Sequence, residues 1–241
     1  MTDRVALGSD PQLIVALDVP SLEEARRFID LLRPSVLWFK VGLELFAAAG
    51  PAAVDTVHRA GGRVFLDLKL HDIPTTVAGA VFSAAGFGVE MLTLHLAGGE
   101  RMVRAAVEAA RGTTEAPRLL GVFRLTSDPP SDRTGGSWDT LVTTAARAAV
   151  SLRLDGLIAA ASEVPLVRSV TPSGFLTVSP GIRPAGDSAD DQARTATPAE
   201  AVRAGSDFLV VGRPITRHPE PLAAAQRILE EVRAALTTAA T

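Results

Sequence analysis

The chain contains no cysteine and no tyrosine among its 241 residues, and aromatic residues make up only 5% of it. Without cysteine it can form no disulfide, thiolate nucleophile or zinc site built on thiolates. A cysteine-free chain fits a reducing compartment, so we expect a cytoplasmic protein. Few aromatic rings also leave little surface on which nucleic-acid bases could stack.

Clusters of positive charge and long apolar segments are missing as well. The net charge is −3 and no Lys/Arg-rich face stands out, which argues against nucleic acid as a partner. The most apolar region, residues 36–54, is interrupted by Lys40, Glu44 and Pro51, so we do not expect it to span a membrane. The first residues lack the charged-then-apolar layout of a signal peptide.

Familiar metal-binding and nucleophile motifs are absent from the sequence. It contains neither HExxH nor GxSxG. Asp67 and Asp72 could hold a hard cation, but Lys69 stands between them and competes for the same carboxylates. We therefore predict no metal site.

What the sequence does have is a regular alternation of short apolar runs and amphipathic segments. Eight runs have the length of buried strands: Leu13–Leu17, Val36–Val41, Val64–Leu68, Met91–His95, Leu119–Arg124, Gly156–Ala160, Leu176–Val178 and Phe208–Val211. The segments between them show helical spacing, as in residues 22–32, where Ser21 and Glu24 form a predicted capping box.

Strand–helix repetition predicts an α/β protein with a parallel sheet. Eight such units in about 240 residues match a single-domain (β/α)8 TIM barrel. We expect one domain over residues 1–241, with its core at about 13–235. The alternative, an open doubly wound sheet, would more typically carry GxGxxG after the first strand, where Leu17-Asp18-Val19-Pro20 stands.

Polar residues recur where the predicted strands end. They are Asp18, Lys40, Asp67, Lys69, Asp72, His95, Ser127, Arg183 and Arg213. In a barrel all of these side chains converge on one rim, where the active sites of such barrels lie. Gly181 with Arg183, and Gly212 with Arg213, follow the seventh and eighth runs, where barrels often bind phosphate.

The segment Phe65–Pro74, FLDLKLHDIP, carries the most information. Side chains alternate along a strand, so Asp67 and Lys69 share one face. Lys40 interrupts the neighbouring apolar run, and with Asp67 it makes a compensated chain of charges possible. The array is either a structural ion-pair network or a catalytic site, and the spacing alone leaves both open.

These residues resemble the orotidine 5′-phosphate decarboxylase family over about Leu13 to Val232. Phe65–Val77, FLDLKLHDIPTTV, matches the family's DxKxxDIPxT signature in full. Supporting matches are Ala16-Leu17-Asp18, Phe39-Lys40-Val41-Gly42, Pro180-Gly181-Ile182-Arg183 with Asp191-Gln192, and Val210-Val211-Gly212-Arg213-Pro214-Ile215. The resemblance implies decarboxylation of orotidine 5′-phosphate to UMP and CO2 without a cofactor, in pyrimidine biosynthesis.

The resemblance also implies roles for the matching residues. Lys69 would protonate C6, Asp67 would lie beside the departing carboxylate, and Lys40 would complete the charged array. Asp72 and Thr76 would reach into the site of the other subunit of a homodimer. The implied substrate contacts are Asp18 and Lys40 with the ribose, Ser127 with the pyrimidine, and Arg183, Gln192, Gly212 and Arg213 around the phosphate.

The sequence departs from the family pattern at Phe123, Arg124, Ser179 and the segment Ala159–Glu163. Two other functions remain open. One is a metal-dependent sugar-phosphate decarboxylase or synthase of the same barrel group; such enzymes generally carry an acidic metal ligand near the position of Lys40. The other is a non-catalytic nucleotide-binding barrel. The role of His95 also stays open.

Overall fold

The structure, a computed structural model, describes residues 12–125, 137–184 and 194–239. Eight parallel strands close into a barrel in the order β1 to β8, and helices separate them in sequence, which confirms the predicted (β/α)8 fold. The strands are β1 Gln12–Ala16, β2 Trp38–Gly42, β3 Arg63–Leu70, β4 Met91–His95, β5 Arg118–Val122, β6 Gly156–Ile158, β7 Leu176–Ser179 and β8 Phe208–Val211.

The helices cover the outside of the barrel. They are α1 Leu22–Leu32, α2 Leu43–Ala49, α3 Pro51–Arg59, α4 Pro74–Gly86, α5 Gly99–Arg111, α6 Trp138–Ser151, α7 Val164–Val170, α8 Pro198–Ala204, α9 Arg213–Thr216 and α10 Pro221–Ala239. Ser21 caps α1 as predicted, since its hydroxyl accepts the backbone N–H of Glu24 at 3.2 Å. Among the helices described, none is long and apolar enough to cross a membrane.

Two separate apolar layers follow from the alternation of side chains along the strands. Residues pointing outward, such as Leu66 and Leu92, pack with the helices into a large outer core. Residues pointing inward form a small inner core that includes Trp38, Phe65 and Phe208. This apolar plug fills the middle of the barrel and lies below the polar side chains that face inward at the carboxyl ends of the strands.

The structure differs from the predicted runs mainly in β3. That strand continues to Leu70, and its pairing with β4 shifts between Leu66 and Leu70. Leu66 pairs with Leu92 and Leu70 pairs with Leu94, so three residues of β3 lie opposite Thr93 alone. Such a bulge re-aims the side chains it carries, and here it carries Asp67 and Lys69.

Candidate active site

A cavity of about 420 Å³ opens at the carboxyl ends of the strands. Its lining includes residues from β1, β2, β3, β5, β6, β7 and β8 or from the loops that follow them. The predicted site residues that line it are Asp18, Lys40, Asp67, Lys69, Arg183, Gly212 and Arg213. The chain thus brings together six of the nine residues that the strand-end pattern selected. Ser127 and Gln192 lie outside the described residues.

Four charged side chains form a continuous array along one wall of this cavity. Lys40 Nζ lies 2.7 Å from Asp18 Oδ1 and 3.7 Å from Asp67 Oδ2. Lys69 Nζ lies 2.7 Å from the same Asp67 oxygen. Since β2 pairs with β1 on one side and with β3 on the other, this order of charges follows from the order of the strands.

The buried members of the array hold each other in the charged form. Burial alone would raise the pKa of Asp67, but the ammonium groups of Lys40 and Lys69 outweigh it and the pKa lies below its ordinary value. Burial alone would lower the pKa of Lys40, but the carboxylates of Asp67 and Asp18 outweigh it and the pKa lies above its ordinary value. Asp67 and Lys40 are therefore both ionised near neutral pH.

Lys69 has an unusual backbone conformation. Its φ is +50°, and Arg153 is the one other non-glycine residue with positive φ in the described part of the chain. A left-handed residue with a side chain costs about 1–2 kcal/mol, and such strain concentrates at functional sites. The conformation lies within the β3 bulge and brings the Lys69 ammonium back onto Asp67, two residues earlier.

Gly42 is a site residue whose role the sequence reasoning missed. A Cβ at this position would lie 2.8 Å from Lys40 Nζ and 3.0 Å from Asp18 Oδ1. The absence of a side chain at the end of β2 therefore makes room for the Lys40–Asp18 pair. The signal was present in the printed sequence, because Gly42 follows Lys40 by two residues and so points to the same face.

Two arginines line the same cavity: Arg183 lies in the loop after β7, and Arg213 begins α9, which follows β8. The side chain of Arg183 is buried, and its Nη1 donates to the carbonyl of Ile182 at 3.0 Å. Gly181, with φ +78°, adopts a left-handed conformation that suits glycine. Gly212 and Arg213 start α9. The two predicted Gly–Arg pairs therefore face one cavity.

Comparison with known proteins agrees with this geometry. Residues 11–228 match the sequence profile described as the orotidine 5′-phosphate decarboxylase / HUMPS family. The chain belongs to this family. It is 45% identical to the orotidine 5′-phosphate decarboxylase of Moorella thermoacetica over 242 residues, which cover 96% of each chain. It is 50% identical to that of Anaeromyxobacter sp. (strain K) over 221 residues, 90% of this chain and 96% of the relative.

Solved structures of the family have the same fold. The crystal structure of orotidine 5′-phosphate decarboxylase from Lactobacillus acidophilus superposes with a TM-score of 0.80 at 35% identity. That superposition covers 92% of this chain and 99% of the other. The corresponding Pyrococcus horikoshii enzyme gives a TM-score of 0.77 at 25% identity.

Two signature residues of the family lie outside the cavity of their own chain. Asp72 and Thr76 are exposed and are not among the residues that line it. Asp72 Oδ1 accepts the backbone N–H of Ile73 at 2.6 Å. Ile73, the residue after Asp72, is 64% exposed, and Phe82, on the same helix as Thr76, is 63% exposed. Within a single chain the structure does not join Asp72 and Thr76 to the charged array.

His95 ends β4 as predicted but does not line the cavity. Its ring lies 5.6 Å from that of His71, measured between centroids. Burial lowers the pKa of His95, and the neighbouring His71 and Lys69 lower it further. Among the family departures, Arg124 lines the cavity, whereas the Ser179 hydroxyl is paired with Ser206 at 2.8 Å in the buried interior.

A second polar network supports the rim, and sequence reasoning did not find it. Buried Glu163 accepts hydrogen bonds from Arg194, from Trp138 Nε1 at 3.1 Å and from the backbone N–H of Ala160 at 2.8 Å. Arg194 also donates to the carbonyl of Leu125 at 2.7 Å, and its guanidinium lies 4.8 Å from the Trp138 ring centre. The loops after β5, β6 and β7 are thereby tied together.

Proposed function

We propose that this protein decarboxylates orotidine 5′-phosphate to UMP and CO2 in pyrimidine biosynthesis, without metal or cofactor. The observation that carries the proposal is the Lys69 ammonium, held 2.7 Å from Asp67 in the same cavity that Arg183 and Arg213 line. One cavity then holds both an ammonium group for the reacting carbon and guanidinium groups that can bind a phosphate. The named relatives support the same reaction.

The reaction requires stabilisation of a localised carbanion. When the bond from C6 to the carboxyl carbon breaks, CO2 leaves and the electron pair stays on C6, in the plane of the pyrimidine ring. The ring cannot easily delocalise that pair, so a charge placed beforehand beside C6 must stabilise it. In our proposal the Lys69 ammonium does this and then donates its proton to C6, giving UMP.

Asp67 has two functions in this proposal. Its carboxylate, ionised because its pKa is lowered, accepts a hydrogen bond from the Lys69 ammonium and so directs it. It also lies beside the departing substrate carboxylate, so that repulsion is relieved when the carboxyl group leaves as neutral CO2 and its negative charge passes to C6, next to the Lys69 ammonium. Lys40 compensates the remaining charge of Asp67.

The other polar groups bind the substrate in this proposal. Asp18 and Lys40 contact the ribose hydroxyls, and Ser127 contacts the pyrimidine edge. The phosphate is held by Arg183, Gln192, Gly212 and Arg213. Binding of the phosphate, remote from C6, supplies binding energy that organises the reacting end of the substrate.

We further propose a homodimer in which Asp72 and Thr76 complete the site of the partner subunit. Their exposure outside the cavity and the exposed apolar side chains of Ile73 and of Phe82, on α4, support this arrangement. Mixing inactive Lys69→Ala and Asp72→Ala proteins tests it. Each hybrid dimer should regain one intact site, so a one-to-one mixture should recover about a quarter of wild-type activity. No recovery after proven subunit exchange would reject shared sites.

We also propose that residues 1–241 form one domain with its core at about 13–235, and that the protein works in the cytoplasm. The continuous barrel supports the first statement, and the cysteine-free composition supports the second.

A single assay separates the proposed function from its alternatives. Purified protein is given orotidine 5′-phosphate in EDTA, and loss of the orotate chromophore is followed together with CO2 release. We expect turnover that added Mg²⁺ does not increase. Activity that EDTA abolishes would favour a metal-dependent sugar-phosphate enzyme. Binding of UMP without CO2 release would favour a non-catalytic nucleotide-binding barrel. Either result would overturn the proposal.

A further inference from the structure

We propose that Thr93 is a positioning residue of the decarboxylation site, which fixes Asp67 and Lys69 together through one hydroxyl group. This inference rests on the proposed function and extends it to a residue outside the signature motif. Thr93 lies in the middle of β4, and its side chain is fully buried. It does not line the cavity, so it acts on the reaction through its two neighbours.

The directions of both hydrogen bonds are fixed by the chemistry of the groups. Thr93 Oγ1 accepts the backbone N–H of Lys69 at 2.8 Å. The hydroxyl has one proton, and Asp67 Oδ1 accepts it at 2.9 Å. Since the other carboxylate oxygen of Asp67 accepts from the Lys69 ammonium at 2.7 Å, both oxygens have a donor. The plane of the carboxylate is thereby fixed.

The same hydroxyl stabilises the strained backbone of Lys69. Thr93 is the one β4 residue opposite the irregular stretch of β3, between the Leu66–Leu92 and Leu70–Leu94 pairs. The Lys69 N–H donates to the Thr93 side chain, where regular strand pairing would supply a backbone carbonyl. A left-handed conformation persists where its surroundings fix it firmly, and this hydrogen bond supplies such a constraint.

Removal of the hydroxyl should therefore leave the cavity and its charged residues in place, but it should allow the side chains of Lys69 and Asp67 to shift. Misplacement of reacting groups by about 1 Å can cost 100-fold in rate. Binding of the distant phosphate does not depend on Thr93, so the effect should appear in kcat rather than in KM.

The test compares three variants. Thr93→Val keeps the shape and removes the hydroxyl, and we expect kcat to fall roughly 10- to 100-fold with KM nearly unchanged. Thr93→Ser restores the hydroxyl and should regain most of the activity. Thr177→Val is the matched control: Thr177 is a fully buried strand residue with several hydrogen bonds, to Arg168 at 2.9 Å among others, away from the cavity. It should lower thermal stability and leave kcat unchanged.

A spectroscopic readout separates failure of this inference from failure of the proposed function. The chain has two lysines, Lys40 and Lys69, so labelling with ¹⁵N-lysine gives two backbone amide signals. In substrate-free protein the Lys69 amide should be protected from hydrogen exchange, and in Thr93→Val it should shift and lose that protection. If Thr93→Val does not fold, the test rests on hydrogen exchange of the Lys69 amide in the wild type and in Thr93→Ser, which should be protected in both.

Several results would overturn the inference. They are a Lys69 amide that exchanges at the unprotected rate in the wild type, a Thr93→Val enzyme with kcat within twofold of wild type, an equal loss in Thr177→Val, or no recovery in Thr93→Ser. A wild-type protein that does not act on orotidine 5′-phosphate would contradict the proposed function instead. The exchange rate of the Lys69 amide would still test whether Thr93 positions Lys69.

Discussion

Replacement of Gly42 by alanine tests whether the geometry of the charged array, rather than its composition, sets activity. The new Cβ would lie 2.8 Å from Lys40 Nζ, whereas ordinary contacts begin at 3.4 Å. The ammonium must therefore retreat by at least about 0.6 Å, and its 2.7 Å hydrogen bond to Asp18 must lengthen or turn. No charged group is added or removed.

The expected cost to folding is small. Overpacking a core costs about 1–3 kcal/mol, and the atom that must move is the end of a flexible side chain, so we expect the lower end of that range. For a chain of this size about 1 kcal/mol lowers the melting temperature by roughly 2–4 °C. The expected cost to catalysis is larger, roughly 10-fold or more in kcat/KM, because a shift approaching 1 Å displaces a group that pairs with Asp67 and that we propose to contact the ribose.

Gly86→Ala is the matched control, since a Cβ at Gly86, the last residue of α4, meets no atom within 4 Å apart from its chain neighbours and the backbone of its own helix. Both variants are assayed for thermal unfolding and for decarboxylation under identical conditions. Gly86→Ala should have wild-type activity. A folded Gly42→Ala enzyme with full activity, or equal losses in the two variants, would refute the claim that Gly42 makes room for the array.

Three further predictions follow from the site. Arg213→Ala should raise KM for orotidine 5′-phosphate roughly 10- to 100-fold, as expected for loss of a charged hydrogen bond, and an unchanged KM would remove Arg213 from the phosphate site. The folded pKa of Asp67 lies below its unfolded value near 3.8, so the contribution of Asp67 to stability is complete above that pH and is lost as the pH falls through the folded pKa. In urea unfolding, the free energy of unfolding should therefore fall more steeply with acid in the wild type than in Asp67→Asn. Parallel plots of this free energy against pH would contradict the prediction. Glu163→Gln leaves Arg194 without its carboxylate partner and should destabilise the fold by about 3 kcal/mol in urea unfolding, whereas a change below about 0.5 kcal/mol would show that the pair contributes little.

The barrel could be predicted because its signals are local. Each buried strand is a short apolar run, each helix has its own apolar stripe, and eight repeats of the pair suffice to suggest closure. The common face of Asp67 and Lys69 also followed from the two-residue period of a strand. Their proximity to Lys40 followed from the adjacency of β2 and β3.

The features that sequence reasoning missed depend on contacts between distant segments. The bulge at Lys69 arises because the pairing register of β3 and β4 shifts around Thr93. No residue type in β3 predicts this shift. The Glu163–Arg194 pair joins residues 31 positions apart on different loops, where no periodicity applies. Local patterns therefore identified the charged groups, while long-range pairing determines how those groups are held.

The most direct test of the central claim is turnover by Lys69→Ala. The variant should fold and bind UMP, because its cavity and arginines remain. The rate at which it consumes the orotate chromophore should fall almost to zero. Lys69→Arg serves as the companion variant, since a guanidinium keeps the positive charge but does not give up its proton at neutral pH, and it should be nearly as inactive. Substantial decarboxylation by a folded Lys69→Ala protein would contradict the account.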